Sequence, residues 1–144
     1  MNKILPIILV IVYSSNSFSE DFFVEKMASA YVARDHIDCG AYWMIARDSS
    51  RHSTEDYQTF NDATLQFFKA GEKYAKMGGM SKNDFKHIQQ LAYSTLKKEI
   101  KSNYDNFHIL KKKYNEYCNN LIEDPEPVIL HYLKYVNDIM KKDE

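Results

Sequence analysis

Apolar residues recur at spacings of three and four along almost the whole chain, and this periodicity restricts the fold more than any other feature. Such spacing places apolar side chains on one face of an α-helix, whereas the alternating pattern of a half-buried strand is absent after residue 19. Helix breakers are few: glycine occurs at 40, 71, 78 and 79, and after Pro6 proline occurs only at 125 and 127. The sequence therefore predicts an all-α fold, a single compact bundle of about five helices.

Capping residues and breakers divide the first three predicted helices. The first helix is predicted over residues 21–47, with an apolar face wide enough to be contacted from two sides. Ser53 and Ser81 each precede an aspartate by three residues, and this capping-box spacing predicts the starts of the second and third helices. Gly78 and Gly79 are expected to end the second helix, because glycine readily adopts the left-handed conformation of a helix stop.

The last two predicted helices are separated by a proline-containing segment. Residues 102–106 are rich in side chains that compete with the helical backbone, so a break is expected there. One continuous helix as far as Ile122 is the alternative. Asp124 is expected to cap the fifth helix, with Pro125 in its first turn.

The first residues have the three-part layout of a secretory signal peptide. Lys3 provides a positive start, Ile4–Tyr13 is apolar, and the small residues Ser17 and Ser19 occupy positions −3 and −1 of a cut before Glu20. The apolar run is about half the length that a membrane-spanning helix requires.

We therefore expect residues 1–19 to be removed and residues 20–144 to form one helical domain. The expected location is the periplasm or the secreted fraction, in soluble form and with no stable membrane anchor. A chain of this length can bury a sizeable core without a metal ion.

The charge balance argues against a nucleic-acid partner. The formal net charge is −1 at pH 7, whereas nucleic-acid-binding domains are usually strongly basic. Arginine, whose fork of donors suits phosphate and carboxylate, occurs only at 34, 47 and 51.

The two cysteines, Cys39 and Cys118, are predicted to form a disulfide. Two cysteines in an exported chain usually pair. Gly40 and Ala41 follow Cys39, and we expect these small residues to allow the close backbone approach that a disulfide requires.

The densest group of chemically reactive side chains is His36, Asp38 and Cys39, with Asp35 one turn before the cysteine. A metal site or a thiol activated by imidazole is one interpretation. The favoured interpretation is a disulfide-bonded Cys39 beside an ordinary, partly exposed His36. The other histidines are isolated in sequence, so no metal or cofactor is expected.

Tyrosine is unusually abundant, and it occurs on or beside every predicted helix. Tyrosine combines a large ring with a polar tip, which suits both a small core and a partner surface. Tyr93, Tyr117 and Tyr135 lie beside the main apolar stripe of their helices. These three are the candidate partner surface.

Three classes of function remain open. The favoured hypothesis is binding to another protein in the envelope or secreted fraction, as an inhibitor, immunity protein, chaperone or envelope accessory protein. The alternative is a carrier that holds a small apolar ligand in an aromatic-lined cavity between helices. An enzyme that uses His36 is the least favoured, because the sequence contains no nucleophile elbow, phosphate-binding loop or zinc-protease signature. The sequence leaves the oligomeric state open.

Overall fold

A computed structural model of the chain describes residues 5–51 and 53–142, with side chains described from Glu20 onward. Over these ranges the secondary structure is helical, with no strand. The predicted all-α bundle of five helices is confirmed. The elements are α1 (Leu5–Ser49), α2 (Thr54–Met77), α3 (Lys82–Glu99), a short 3-10 helix (Tyr104–Asn106), α4 (Phe107–Glu123) and α5 (Glu126–Met140).

Helix α1 is longer at its amino end than the predicted 21–47. Pro6 lies in its first turn, where proline is tolerated, and no further glycine or proline occurs before Gly40. Nothing in the backbone therefore ends the helix at the predicted cleavage site. Residues 1–4 and the side chains of residues 5–19 lie outside the described part, so removal of the signal peptide stays a prediction.

The predicted starts of the second and third helices are confirmed by their capping hydrogen bonds. The Ser53 hydroxyl accepts from the backbone N–H of Asp56 at 3.3 Å, and the Ser81 hydroxyl accepts from that of Asp84 at 3.1 Å. The Asp124 carboxylate accepts from the Glu126 N–H at 3.2 Å. The N-cap of α5 is nevertheless Pro125, and the helix begins at Glu126. The prediction that Asp124 is the cap, with Pro125 in the first turn, is therefore wrong by one residue.

Helices α3 and α4 are separate, so the alternative of one continuous helix is wrong. Lys101 and Ser102 both have left-handed backbone conformations, with φ of 53° and 55°. The Ser102 N–H donates to the Lys97 carbonyl at 2.8 Å, which satisfies one of the last acceptors of α3. Two consecutive residues with positive φ reverse the chain and allow α4 to pack beside α1.

Helix α1 is the centre of the bundle, as its wide apolar face predicted. Helices α2, α3, α4 and α5 all pack against it. Its residues from Ala28 to Ala46 supply much of the buried core, which includes Val32, Ala33, Ile37, Ala41, Tyr42 and Ile45.

The most extensive helix contact joins α1 and α2, and two glycines allow the two helices to approach closely. A Cβ atom on Gly78 would lie 2.8 Å from the backbone nitrogen of Ala30. A Cβ atom on Gly40 would overlap the ring of Phe68. The expectation that Gly40 makes room for the disulfide is therefore wrong: the space beside it is filled by an aromatic ring of α2.

The predicted disulfide between Cys39 on α1 and Cys118 on α4 is present, with Cα atoms 5.5 Å apart. Both cysteines are fully buried. In the part of the chain that the structure describes, no helix is both long and apolar enough to cross a membrane.

Gly78→Ala is expected to destabilise the protein by about 1–3 kcal/mol, because the new methyl group would press on the α1 backbone. Gly78 has an ordinary right-handed conformation with φ of −73°, so strain at this residue would not contribute. Urea unfolding measures the change. Lys76→Ala, at an exposed position two residues away, is the control and is expected to change stability by less than about 0.5 kcal/mol. Equal effects of the two substitutions would contradict this packing.

Replacement of both cysteines by alanine is expected to lower the free energy of unfolding by about 4–5 kcal/mol in the chain-entropy model. The reason is the long interval of 79 residues that the disulfide closes. Urea unfolding of the wild type and the variant, each with and without reductant, measures the effect. Reductant should destabilise only the wild type. A wild type insensitive to reductant would disprove the role of the disulfide.

Candidate functional site

Four tyrosines from three helices form a connected cluster beside one carboxylate, that of Asp35. The Tyr117 hydroxyl on α4 donates to Asp35 Oδ2 at 2.5 Å. Tyr132 on α5 lies close enough for the charge of this carboxylate to raise the pKa of its phenol. Tyr31 stacks on Tyr132 with ring centroids 5.1 Å apart, and the edge of Tyr135 meets Tyr31 at 5.8 Å. We call Tyr31, Tyr117, Tyr132 and Tyr135 the tyrosine surface.

Helical spacing and the disulfide bring these side chains together. Tyr31, Asp35 and Cys39 follow one another at intervals of four residues, so they lie along one face of α1. Tyr117 precedes Cys118, whose bond to Cys39 fixes α4 against that face. The disulfide therefore holds the Tyr117 hydroxyl within reach of Asp35.

The electrostatics of the site keep Tyr117 and Tyr132 protonated. Burial, reinforced by the contact with the Asp35 carboxylate, raises the pKa of Tyr117 and of Tyr132 above the ordinary value for a phenol. Burial also raises the pKa of Asp38, while the neighbouring Arg34, 3.5 Å away, partly opposes this effect. Both phenols are therefore protonated at neutral pH, and that of Tyr117 is held in place by its hydrogen bond to Asp35.

The tyrosine surface is amphipathic and only partly covered. Tyr31, Tyr117 and Tyr135 are 36%, 41% and 45% exposed. The Tyr117 hydroxyl is held by Asp35, and the rings of Tyr31 and Tyr135 pack on neighbouring rings, so these side chains lose little conformational entropy when a partner covers them. This arrangement suits contact with another molecule better than it suits chemistry.

An acidic cleft of about 350 Å³ between α4 and α5 adjoins the tyrosine surface. Tyr117 forms part of its wall, and the carboxylates of Glu123 and Asp124 lie in the same wall. Its other lining residues are Asn120, Leu121, Pro127 and Val128.

The structure brings together two of the three predicted partner residues. Tyr117 and Tyr135 both belong to the tyrosine surface. Tyr93 lies elsewhere: it packs against the core, and its hydroxyl donates to Asp48 Oδ2 at 2.8 Å. Asp35 and Asp48 are separated by about 20 Å along α1 at 1.5 Å per residue, so Tyr93 cannot join the other two.

The sequence analysis missed the central residue, Asp35, and two of the tyrosines. Tyr31 and Tyr132 are not among the three candidate partner residues, and Asp35 enters the sequence analysis only as a neighbour of Cys39. The available signal was the spacing: four residues separate Tyr31 from Asp35, and three separate Tyr132 from Tyr135. That spacing places each pair on one helix face, but it does not show that the two faces meet.

The group around His36 is structural. Cys39 is disulfide-bonded, so it offers no thiol for activation. His36 is only 2% exposed, and the expectation of a partly exposed histidine is wrong. Its ring Nδ1–H donates to the Val32 carbonyl at 2.8 Å, and the rings of Phe67 and Tyr74 pack beside it.

Within residues 20–51 and 53–142, no three histidine, cysteine, aspartate or glutamate side chains lie close enough to bind a metal ion together.

The chain was compared with protein-family models, with curated proteins and with solved structures, and it matches none of them.

The buried His36 is expected to make the protein less stable in acid. Burial lowers the pKa of His36 below its usual 6.5. As the pH falls below 6.5 the unfolded chain takes up a proton that the folded chain does not, so stability falls until the folded pKa is reached. The loss is about 1.4 kcal/mol for each unit by which the pKa is lowered.

Urea unfolding at several pH values between 7.5 and 4.5, on wild type and His36→Gln, measures this loss. The other titrating groups are common to both proteins, so the difference between the two curves isolates His36. The wild type should lose more stability than the variant as the pH falls. Parallel curves would contradict the assignment.

Proposed function

We propose that this chain is an exported, soluble helical protein that acts by binding another protein. The kinds of role that fit are inhibitor, immunity protein, chaperone or accessory of envelope machinery. The observation that carries the proposal is the tyrosine surface, in which partly exposed rings from three helices are held by ring packing and by the hydrogen bond of Tyr117 to Asp35. Tyrosine is enriched at protein interfaces and often supplies much of their binding energy.

The charges beside the tyrosine surface support a partner that carries lysine or arginine. Asp35 lies at the centre of this surface, and Glu123 and Asp124 line the adjoining cleft. Carboxylates of this kind attract cations, and the exposed faces of tyrosine rings add cation–π attraction. A basic side chain of the partner would reach both from the solvent side.

Two features support an exported protein. The first residues have the layout of a signal peptide, and the bundle contains the disulfide of Cys39 and Cys118. Disulfides persist in the periplasm and outside the cell, where reducing systems do not remove them. Among the side chains that the structure describes, from Glu20 onward, the first buried one is that of Ala28, so this part of the core lies outside the predicted signal peptide.

One observation favours the carrier alternative. An apolar groove of about 330 Å³ between α1 and α3 is lined by Met27, Ala30, Tyr31, Arg34, Met80 and Ile88. Sites for small ligands have volumes of this order. Tyr31 belongs to both the groove and the tyrosine surface, so a protein partner could extend into the same groove. Native mass spectrometry of protein purified from its own source distinguishes the two, since a carrier would retain a small molecule.

Affinity capture tests the protein-binding proposal. The bait is the mature protein, crosslinked in the native envelope or secreted fraction and analysed without reductant. The wild type is expected to recover one stoichiometric protein. Tyr117→Ala combined with Tyr135→Ala should reduce recovery, because loss of a typical interface anchor weakens affinity by about 30-fold.

Tyr57→Ala is the matched control. Tyr57 on α2 is 40% exposed, close to the exposure of Tyr117, but it does not belong to the tyrosine surface. The control should recover the partner as the wild type does. If the double variant retains the partner, or if the wild type recovers no protein, the proposal is wrong.

A further inference from the structure

A second surface is an apolar groove between α2 and α3. The groove shares no residue with the tyrosine surface, which lies on α1, α4 and α5. Its volume is about 580 Å³. Leu65, Phe68 and Phe85 give it apolar walls, and Leu65 is 59% exposed. The polar side chains Asn83 and Gln89 complete the wall on α3.

The rim of this groove is positively charged. Lys69 on α2 and Lys82 and Lys86 on α3 line it and are exposed. None of the three takes part in an ion pair among the described residues. The acidic residue of the rim, Glu72, pairs with Lys76 at 3.4 Å. The groove therefore combines an apolar floor with an excess of positive charge, which favours an acidic, amphipathic occupant.

The first helical turns after the predicted cleavage site have the complementary properties. Phe22 and Phe23 are 62% and 45% exposed, although large aromatic side chains are usually covered. Glu20, Asp21 and Glu25 are exposed beside them, and none of these carboxylates takes part in an ion pair among the described residues. We call Glu20–Glu25 the acidic turn.

We infer that the acidic turn of one molecule binds in the lysine-rimmed groove of a second copy of this chain. The two phenyl rings would cover Leu65 and Phe68, and the carboxylates would meet the lysines of the rim. This is recognition of an amphipathic helix by a groove. The inference rests on the proposed function, under which residues 1–19 are removed on export. In the processed protein α1 begins at Glu20, so the acidic turn is at the amino-terminal end of the molecule.

The geometry of this contact has a consequence for assembly. The acidic turn and the groove are different surfaces, so each molecule can bind one neighbour with its turn and another with its groove. Such head-to-tail contacts build open chains or closed rings rather than stopping at a symmetric dimer. Oxidised, processed protein should therefore form species larger than dimers as its concentration rises.

Sedimentation analysis of protein processed and secreted by an expression host tests the inference, with the mass confirming that the chain begins at Glu20. Association is expected within about 10 µM to 1 mM, the range of weak specific contacts. It should weaken at least about 10-fold between about 0.01 M and 1 M salt, because the screening length falls from ~30 Å to ~3 Å.

Two variants each remove one half of the contact. Lys82→Glu combined with Lys86→Glu reverses the charge of the groove, and Phe22→Ser combined with Phe23→Ser removes the apolar part of the turn. Lys82 is the first residue of α3, where a glutamate is favourable, so this change should not destabilise the helix. Each variant alone should be a monomer. Their equimolar mixture should form a one-to-one dimer, because only one intact turn and one intact groove can meet.

The matched control, Lys111→Glu with Lys112→Glu, makes the same charge change at exposed positions on α4 and should associate like the wild type. A wild type that stays monomeric at about 1 mM in low salt would overturn the inference. So would association that survives either variant, or a mixture that forms no dimer. Loss of association in the Tyr117→Ala, Tyr135→Ala protein would assign it to the tyrosine surface instead. The affinity capture described above tests the proposed function separately, because its expected result is a partner protein other than this chain.

Discussion

Burial of α1 is the interaction on which the rest of this structure depends. Helices α2, α3, α4 and α5 all pack against α1, and the extensive helix–helix contacts of the described residues are contacts with it. Apolar burial contributes about 25 cal/mol per Å², so a helix that is covered from several sides concentrates much of the folding free energy. Each outer helix buries one face against α1, and its opposite face stays exposed to solvent. The tyrosine surface and the lysine-rimmed groove both lie where an outer helix meets a neighbour at the edge of this packing.

The disulfide links the stability of the bundle to the geometry of the tyrosine surface. Cys39 lies one helical turn after Asp35, and Cys118 follows Tyr117. The bond that restricts the unfolded chain therefore also sets the distance between the carboxylate and the phenol that it holds. In an oxidising compartment the two effects act together, since the same covalent link stabilises the fold and orders the candidate interface.

Local signals in the sequence predicted the helices well. Ser53 and Ser81 act as caps because a capping hydrogen bond involves neighbours within three residues. The environment of individual side chains was less predictable. His36 is buried because α2 covers it with Phe67 and Tyr74, and Gly40 accommodates Phe68 rather than the disulfide. In both cases the decisive neighbour is distant in sequence.

The sequence by itself determined the helical architecture, the pairing of the two cysteines and the abundance of tyrosine. These depend on periodicity, on capping and on the number of cysteines available, all of which are properties of the chain without its fold. Only the tertiary structure decided which tyrosines meet. It brought Tyr117 and Tyr135 into one cluster with Asp35, Tyr132 and Tyr31. The Tyr93 hydroxyl instead donates to Asp48. The reason is that helical periodicity fixes the face on which a residue lies, whereas the packing of the helices around α1 fixes which faces come into contact.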